Sequence, residues 1–466
     1  MIDLYFKFYK KSFNKKLQGL LLDIEKLFFI NNIEALQARN KYLDSNYEAH
    51  LTSETWGKAN DVFATLDSLE EGRYSLLDKF KPKKIKKNNE QALFVDLFAG
   101  AGGLSYGLEE AGFQQAFTNE LIPEFLETYY LNRNTSLDSI APGDIKQISN
   151  DTITNLKRSS IQLLVGGPPC QGFSNANRQR LIDDPRNHLY KYFVELIKEV
   201  QPRIFLMENV RGMLNKSEEI MQDFSTNLIN YKTTIFMLNA KEFGVPQHRE
   251  RVFILGTNDK NLDVNEIRDE LLSTKVGDLI PISQALEFLP KLGNKEQKSA
   301  YLENDISGYK FTNKLEWSST GNEYLNKINQ NRNTSILSNH MNRYNNPRDI
   351  EIFTKLPQGK DSTHPSIEEI MPYKSRTGAF KDKYFKLRED HVSKTITAHM
   401  DKDCNSYIHP SQPRGLSPRE AARIQSFPDD YIFTGPSARQ FTQVGNAVPP
   451  VLAAQLATSI RSSYYD

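Results

Sequence analysis

Between residues 92 and 257 the chain alternates short apolar runs with segments in which apolar residues recur at helical spacing. The runs ALFVDLF, QAFTNE, IQLLVGG, RIFLMENV, TTIFMLNA and RVFILGT predict strands, and LSYGLEEAG and YKYFVELIKEVQP predict helices. Strands that alternate with helices favour a mostly parallel sheet with helices on both faces. The pattern therefore predicts an α/β fold for this part of the chain.

The rest of the chain divides by composition. Residues 1–90 carry apolar positions at helical spacing and end in the basic stretch KPKKIKKNNEQ, which predicts a helical extension followed by an exposed linker. Residues 258–413 are polar and Asn-rich with scattered Pro and Gly, and they predict a second, smaller and irregular domain. Helical periodicity returns in SPREAARIQSF and VPPVLAAQLATSIRSS. We expect domains at residues 1–90, 91–257, 258–413 and 414–466.

Composition narrows the class of protein. Hydrophobic residues make up 38% and charged residues 25% of the chain, and no apolar run is long enough to span a bilayer. The first residues, MIDLYFKFYKKSFNKKLQ, lack the apolar core of a signal peptide. Two cysteines, Cys170 and Cys404, cannot build a disulfide framework or a zinc site, so we expect a reducing, cytoplasmic setting and no metal. The net charge of +1 does not exclude a polyanionic partner, because DNA enzymes often confine positive charge to one face.

A glycine turn follows the first predicted strand, in FVDLFAGAGGLSYGLEEAG. Gly100, Gly102 and Gly103 would let backbone donors and a helix N-terminus face a ligand. Glu120 closes the next strand, twenty residues after Gly100, where a dinucleotide fold places the acid that binds ribose hydroxyls. Because Ser105 breaks the strict GxGxxG fingerprint, the turn predicts either a nucleoside-like cofactor or a turn that only packs helix on strand.

Two further residues favour the cofactor. Phe98 lies just beyond the strand, where its ring could stack on an adenine, although a phenylalanine there is more often part of the core. Asp144, in PGDI, has the form of a loop acid that accepts a hydrogen bond from an adenine amino group. A helix N-cap is the alternative role for Asp144.

Cys170 lies in LLVGGPPCQGFS, on a turn of glycines and prolines just beyond a predicted buried strand. Prolines stiffen the chain and glycines allow a close approach. A thiol becomes a nucleophile where positive charge or a helix N-terminus favours the thiolate, and is otherwise an inert core residue. FLMENV places Glu208 at the end of another apolar strand, as a proton donor, a recognition group or a surface acid.

The segment PQHRERVF adds Gln247, Arg249 and Arg251. A spacing of two predicts that both arginines lie on the same side of a strand. Paired arginines suit phosphates and carbonyl oxygens, and the alternative is an exposed, cationic edge strand.

Taken together, these motifs resemble the cytosine-5 DNA methyltransferases of bacterial restriction-modification systems. The resemblance covers about residues 92–257 and 413–460 and is carried by DLFAGAGG, GGPPCQGFS, MENV, QHRER, RGLSPREAARIQSFPD and QVGNAVPP. It implies a Rossmann-like, S-adenosylmethionine-dependent methyltransferase core that releases S-adenosylhomocysteine. It also implies that residues 258–413 form a target-recognition domain and that the last helix returns to the cofactor pocket.

The resemblance also implies a role for single residues. Cys170 would add to carbon 6 of a flipped-out cytosine, Glu208 would hold its amine and protonate ring nitrogen 3, and Arg251 would contact its carbonyl oxygen. Arg249 would brace the cysteine loop or a phosphate. The positions that match cofactor contacts are Phe98, Gly100, Gly102, Gly103, Glu120, Asp144, Pro168, Leu189 and Asn446. The positions that match DNA contacts are Gln171, Ser174, Arg186 and Gln247.

We therefore expect an enzyme that methylates carbon 5 of cytosine in a specific double-stranded DNA sequence through a covalent cysteine adduct. A monomer in the bacterial cytoplasm, associated with the nucleoid and acting beside a cognate restriction endonuclease, fits this interpretation. One alternative is a transfer-RNA cytosine-5 methyltransferase, but its usual Cys-Phe-Thr tripeptide is absent. The other is an inactive DNA-binding regulator, which would not need an activated thiol.

Overall fold

The computed structural model describes residues 92–133, 135, 139–169, 189–295, 307–312, 321–330, 337–372, 381–402 and 404–463. The predicted extension 1–90 and the predicted site residues Cys170, Gln171, Ser174 and Arg186 lie outside the described residues. The described residues fall into two compact units. The sheet unit comprises residues 92–278 and 447–463, and the insert unit comprises residues 279–446.

The sheet unit is built on a seven-stranded sheet. Its strands are β1 Leu93–Leu97, β2 Gln114–Glu120, β3 Ile140–Pro142, β4 Leu163–Gly166, β5 Ile204–Val210, β6 Lys232–Asn239 and β7 Glu250–Thr257. Their order is β3-β2-β1-β4-β5-β7-β6, and only β7 runs antiparallel to its neighbours. The predicted α/β fold with a mostly parallel sheet is confirmed. The carboxyl ends of β1, β2, β4 and β5 meet at one edge, which is the usual ligand side of such a sheet.

Helices connect the strands and continue through the insert unit. The α-helices of the described residues are α1 Gly103–Glu110, α2 Pro123–Leu131, α3 Asn150–Arg158, α4 Leu189–Val200, α5 Ser217–Asn227, α6 Val264–Ser273, α7 Ile282–Leu286, α8 Glu323–Ile328, α9 Pro347–Lys355, α10 Pro418–Ile424, α11 Ser437–Asn446 and α12 Pro450–Ser462. Short 3₁₀ segments of three to six residues lie at Ile145–Gln147, Arg211–Lys216, Ala240–Phe243, Pro365–Ile370, Lys381–Lys383, Ala398–Asp401 and Asn405–Tyr407.

The sheet forms because its central strands are apolar on both faces. Every residue of β1 and β4 is buried, and α4 places Tyr190, Phe193 and Ile197 against the same cluster. The last helix, α12, packs directly on α1. A Cβ on Gly107 of α1 would lie 2.4 Å from the backbone nitrogen of Ala454, so only glycine permits this approach.

The insert unit has its own small core. Strands β8 Gly308–Thr312 and β9 Leu337–Met341 pair antiparallel. A second apolar cluster joins α9 to the segments that follow it, and its buried members are Ile352, Phe353, Leu356, Ile367, Tyr384 and Ile408. Helix α10 begins with a capping box, in which Ser417 and Glu420 satisfy each other's backbone N–H groups.

Buried charge is the second feature of the insert unit. Arg414 makes a two-pronged pair with Glu420 at 2.7 and 2.6 Å, and Arg423 makes another with Asp429 at 2.6 and 3.0 Å. Arg419 donates to the carbonyl oxygens of Ser338, Pro428 and Tyr431. All three arginines are completely buried. The motif RGLSPREAARIQSFPD therefore organises the interior of this unit.

None of the helices in the described ranges is long and apolar enough to cross a membrane. Among the same residues there is no group of three or more His, Cys, Asp or Glu side chains that could hold a metal ion.

Candidate active site

The glycine turn between β1 and α1 is held by Glu120 at the end of β2. The backbone N–H of Gly100 donates to Glu120 Oε2 at 2.8 Å, and that of Ile122 donates to Oε1 at 2.9 Å. Phe98, Gly100 and Gly102 all have left-handed φ values, of 59°, 58° and 82°. The turn therefore reverses within a few residues and brings its backbone against the carboxylate.

Burial raises the pKa of Glu120, and the backbone N–H groups of Ile122 and Gly100 oppose that rise. The two carboxylate oxygens retain acceptor capacity beyond the bonds from Ile122, Gly100 and Leu121 that orient them. A Cβ built on Gly100 would meet no described atom within 4 Å, so the turn is open on that side. An oriented acceptor beside an open, backbone-lined turn suits a ligand that carries hydroxyl groups.

On its protein side, the glycine turn is backed by a series of buried hydrogen bonds. Ser105 Oγ donates to Asp96 Oδ2 at 2.5 Å, Tyr129 Oη donates to Ser105 Oγ at 2.9 Å, and Thr118 Oγ1 donates to Tyr129 Oη at 3.0 Å. Burial raises the pKa of Asp96 to about 7, although Ser105 and Arg133 oppose the rise. These bonds link β1, α1, α2 and β2 across the two sides of the turn.

The loop that leads toward Cys170 begins at Gly167. Asn209 Nδ2 donates to the carbonyl oxygen of Pro168 at 2.9 Å, and its Oδ1 accepts from the backbone of Val210 at 2.8 Å. A Cβ on Gly167 would lie 3.0 Å from Glu208 Oε2. The end of β5 therefore carries Asn209, which holds the Pro-Pro turn by a hydrogen bond, and Glu208, whose carboxylate lies against Gly167 at the start of the same loop. Cys170 itself lies outside the described residues.

Glu208 forms an ion pair with Arg251 across the antiparallel strands β5 and β7. Arg251 Nε lies 2.9 Å from Glu208 Oε1, and the two side chains are 13% and 12% exposed. Burial lowers the pKa of Arg251, whereas Glu208 favours its charged form. The pair thus presents one carboxylate and one cation at the edge of the sheet, both still partly accessible.

Arg249 and Gln247 lie deeper than these two. Strand β7 begins at Glu250, so Arg249 lies one residue before the strand that carries Arg251. Arg249 is 1% exposed and donates from Nη2 to the carbonyl oxygen of Ala447 at 2.8 Å. Gln247 is completely buried. Their proposed contacts with the cysteine loop, a phosphate or DNA stay predictions.

The other predicted cofactor residues occupy separate places. Asp144 accepts from the backbone N–H of Lys146 at 3.0 Å and caps a 3₁₀ turn, which is the alternative that its sequence left open. Leu189 begins α4, and like Phe98 it is half-buried against the sheet cluster. Asn446 ends α11 in the insert unit and is exposed. Their contacts with a cofactor stay predictions.

Sequence reasoning missed Asp96, Ser105, Tyr129 and Arg133, which surround the glycine turn. In the sequence, Ser105 stands out only as a break in the glycine pattern, yet it is the residue to which Asp96 and Tyr129 bond. An aspartate within an apolar strand is a usable signal, because a buried carboxyl needs a partner. Arg133 carries no such local signal.

Comparison with known proteins places the chain among enzymes of one kind. Residues 92–462 match the family described as C-5 cytosine-specific DNA methylase. The chain is 31% identical to Type II methyltransferase M.AgeI of Thalassovita gelatinovora, over 79% of this chain and 98% of that protein. It is 32% identical to Type II methyltransferase M1.HphI of Haemophilus parahaemolyticus, over 79% and 86%. The crystal structure of an E. coli prophage protein described as a "putative DNA modification methyltransferase" is similar, with a TM-score of 0.59, 25% identity and coverage of 81% of this chain and 100% of that one.

Proposed function

The chain belongs to the C-5 cytosine-specific DNA methylase family, and we propose that Glu120 and the glycine turn hold its methyl donor, S-adenosylmethionine, while Glu208, Arg251 and Cys170 act on the base. The activity is that of a DNA cytosine-5 methyltransferase. The observation that carries the assignment of residues is the Glu208–Arg251 pair, 2.9 Å apart, at the same sheet edge as the oriented carboxylate of Glu120.

Carbon 5 of cytosine is a weak nucleophile, and a stacked base is out of reach, so the base has to be extruded and activated. Cys170 would supply a thiolate that adds to carbon 6. Glu208 would bind the exocyclic amine and share a proton with ring nitrogen 3, where electron density accumulates. Arg251 would contact the carbonyl oxygen and keep Glu208 oriented through the 2.9 Å ion pair. Once carbon 5 carries the transferred methyl group, loss of its proton to solvent and departure of Cys170 as a thiolate from carbon 6 would restore the aromatic ring.

The chain's residues fit the proposed donor. Glu120 would accept hydrogen bonds from ribose hydroxyls, because Gly100 and Ile122 already fix the direction of its carboxylate. Phe98 and Asp144 would contact the adenine, and Pro168 and Leu189 would line the pocket. When bound, S-adenosylmethionine supplies a methyl group made electrophilic by its sulfonium. Gly100 would let the ligand approach the backbone, since a side chain there would enter the open side of the turn.

The relatives' names support a setting as well as a reaction. M.AgeI and M1.HphI are Type II methyltransferases. We infer that this enzyme likewise modifies one double-stranded DNA sequence in a bacterial restriction-modification system, with a cognate endonuclease as functional partner. The insert unit, residues 279–446, overlaps the interval 258–413, in which the sequence predicts target recognition, and extends beyond its end. Ser174, Arg186, Gln171 and Gln247 would contact DNA.

The test of the proposed chemistry is replacement of the thiol. Cys170→Ala should reduce methyl transfer to below a thousandth of the wild-type rate, because no other group would activate carbon 6. Binding of S-adenosylhomocysteine, followed by titration calorimetry, should be unchanged. Transfer of a tritiated methyl group to genomic DNA measures the activity, and bisulfite sequencing of the product identifies the modified base.

Cys404→Ala is the matched control, since Cys404 is the chain's second cysteine and is buried in the insert unit. It should retain activity within about threefold of wild type. DNA with 5-fluorocytosine at the target should trap the wild-type enzyme covalently, because fluorine cannot leave as a proton does. Substantial activity in Cys170→Ala, or no trapped species under turnover conditions, would overturn the covalent mechanism.

A further inference from the structure

Arg133, two residues beyond the end of α2, contacts the backbone of the glycine turn through its side chain, from the protein side of the turn. We infer that Arg133 is a positioning residue for the methyl-donor site, which fixes the Gly102 carbonyl and thereby the shape of the turn that carries Gly100. The inference rests on the proposed function, because it concerns the same cofactor site. Arg133 does not match any position that the family resemblance implied.

The guanidinium of Arg133 joins three parts of the sheet unit. Nη2 donates to the carbonyl oxygen of Gly102, Nη1 donates to that of Tyr129 at 3.1 Å, and Nε lies 3.1 Å from Glu109 Oε2. The turn, the end of α2 and the outer face of α1 are therefore held by one side chain. That side chain is 2% exposed, whereas Glu109 is 30% exposed.

Tyr129 completes the arrangement. The Arg133 guanidinium stacks 4.0 Å from the centre of the Tyr129 ring, a favourable cation–π geometry. The hydroxyl of the same ring bonds Ser105 and Thr118, and Ser105 bonds Asp96 on β1. The buried hydrogen bonds of Tyr129, Ser105 and Asp96 thus fix the ring on which Arg133 stacks. The position of Arg133 in turn fixes the carbonyl group of Gly102.

Gly102 leaves no room for a different arrangement. A Cβ there would lie 2.6 Å from Tyr129 Cδ2 and 2.7 Å from both terminal nitrogens of Arg133, and its φ of 82° is unfavourable for other residues. Gly100, two residues earlier, faces open space and donates to Glu120. Arg133 therefore occupies the closed side of the turn, and a ligand would bind on the open side.

A planar, forked cation is the group that this geometry requires. Two carbonyl oxygens and one carboxylate are contacted from different nitrogens of one plane, which an ammonium on a flexible stem cannot reproduce. Removal of the fork would leave the Gly102 carbonyl with the backbone N–H of Tyr106, 2.9 Å away, as its remaining donor, and would free the turn to relax away from the ligand-bound shape. The cost would appear in ligand binding, since Arg133 contacts no reacting atom.

The decisive experiment separates KM from kcat in the full-length enzyme. Arg133→Met should raise KM for S-adenosylmethionine and Kd for S-adenosylhomocysteine by about ten- to a hundredfold, the range for loss of charge-assisted hydrogen bonds. At saturating cofactor, kcat should stay within about threefold of wild type, and KM for DNA should not change. A merely structural role would lower the melting temperature and the active fraction but leave KM and Kd as they are.

Two further variants sharpen the result. Arg133→Lys keeps the charge in a protein that should fold, yet it should still raise KM for the cofactor at least threefold because the fork is lost. Glu109→Gln removes only the outer ion pair and should change KM by less than about twofold. An unchanged cofactor KM in Arg133→Lys and Arg133→Met would overturn the inference.

Glu120→Ala distinguishes this failure from failure of the proposed function. If Glu120→Ala weakens cofactor binding and both Arg133 variants do not, the proposed site stands and the positioning role is wrong. If none of these variants changes cofactor binding, the site itself is misplaced and the inference falls with it.

Discussion

Arg423 in the insert unit and Arg251 in the sheet unit each pair with a carboxylate, but their surroundings differ. Arg423 and Asp429 are completely buried, whereas Arg251 and Glu208 remain 13% and 12% exposed. Arg423 also donates to the carbonyl oxygens of Ala285 and Glu287, so both ends of its guanidinium are occupied within the unit. Arg251 and Glu208 lie at a sheet edge, where a ligand can still approach them.

The comparison teaches how to separate two motifs that look equally chemical in sequence. RGLSPREAARIQSFPD and QHRER both concentrate arginines beside acids. A fully enclosed pair can only hold structure, because its hydrogen-bonding directions face the protein. A pair with a residual opening can also act on a substrate. Removing one partner should therefore cost stability in the first case and function in the second.

The largest effect is expected from Arg423→Met. This substitution strands the Asp429 carboxylate in the interior, and orphaning one member of a buried ion pair costs about 3–5 kcal/mol. The free energy of unfolding of the insert unit should fall by that amount, as measured by denaturant-dependent hydrogen exchange on peptides from residues 337–429. A loss below about 1 kcal/mol would show that enclosure does not make this pair structural.

The double variant Arg423→Met, Asp429→Leu sharpens this result, because it removes both charges. It should recover much of the lost stability, since well-packed apolar residues can replace a buried ion pair. Arg388→Met, which opens the exposed pair with Asp390, is the surface control and should leave the unit's stability essentially unchanged.

An intermediate effect, on ligand binding, is expected from Glu120→Ala in the sheet unit. Affinity for S-adenosylmethionine should fall by about 1.5–3 kcal/mol, the scale of a hydrogen bond to a charged group. Titration calorimetry measures the loss, and Glu124→Ala on the adjacent helix α2 is the control with an unrelated acid. Unchanged affinity would remove Glu120 from the pocket. If Glu120→Ala lowered the free energy of unfolding as much as Arg423→Met does, the proposed difference between a structural pair and a functional carboxylate would be wrong.

The smallest effect is a pH dependence of opposite sign in the two units. Burial lowers the pKa of His340 and of His409 to about 4, so the unfolded chain binds more protons than the insert unit between pH 4 and 6.5. Their contribution to stability is complete above pH 6.5 and is lost as the pH falls toward 4. Burial raises the pKa of Asp96 to about 7, so its contribution is complete below pH 3.8 and is lost as the pH rises through 7.

Acidification from pH 7 to 6 should therefore weaken the insert unit and strengthen the sheet unit. Each group contributes a slope of at most about 1.4 kcal/mol per pH unit. Hydrogen exchange corrected for intrinsic rates would resolve the two units separately. Asp96→Asn should flatten the slope in the sheet unit alone, because the amide stays neutral and can still accept from Ser105. Slopes of the same sign in both units would contradict the assignment of these pKa values.

The sequence predicted much of the sheet, because its strands are apolar runs bounded by turns. β1, β2, β4 and β5 lie where ALFVDLF, QAFTNE, IQLLVGG and RIFLMENV predict them, and Glu120 ends its strand as expected. The antiparallel direction of β7 was not predicted, because periodicity is the same in both directions. β3 spans only Ile140–Pro142, too few residues for a periodic signal.

The candidate site was predictable only where a motif is contiguous. Glu208 is visible because a carboxylate ends an apolar strand. Arg133 was not, because its partners come from α1, α2 and the glycine turn, and only the folded chain brings them together. Gln247 shows the opposite limit, since a polar side chain in a motif gives no indication that it is completely buried.

The packing of α12 on α1 bears on how the protein is made. Arg461 of α12 donates to the carbonyl oxygen of Ala111, 350 residues earlier in the chain. A ribosome therefore delivers the helix that covers α1 only after the whole insert unit has been synthesised. Residues 279–446 of the insert unit are all synthesised before α12. Until α12 has been made, Gly107 of α1 lacks the helix that packs on it in the finished sheet unit. Synthesis thus imposes a sequence of events in which the half with the glycine turn is the last to be completed.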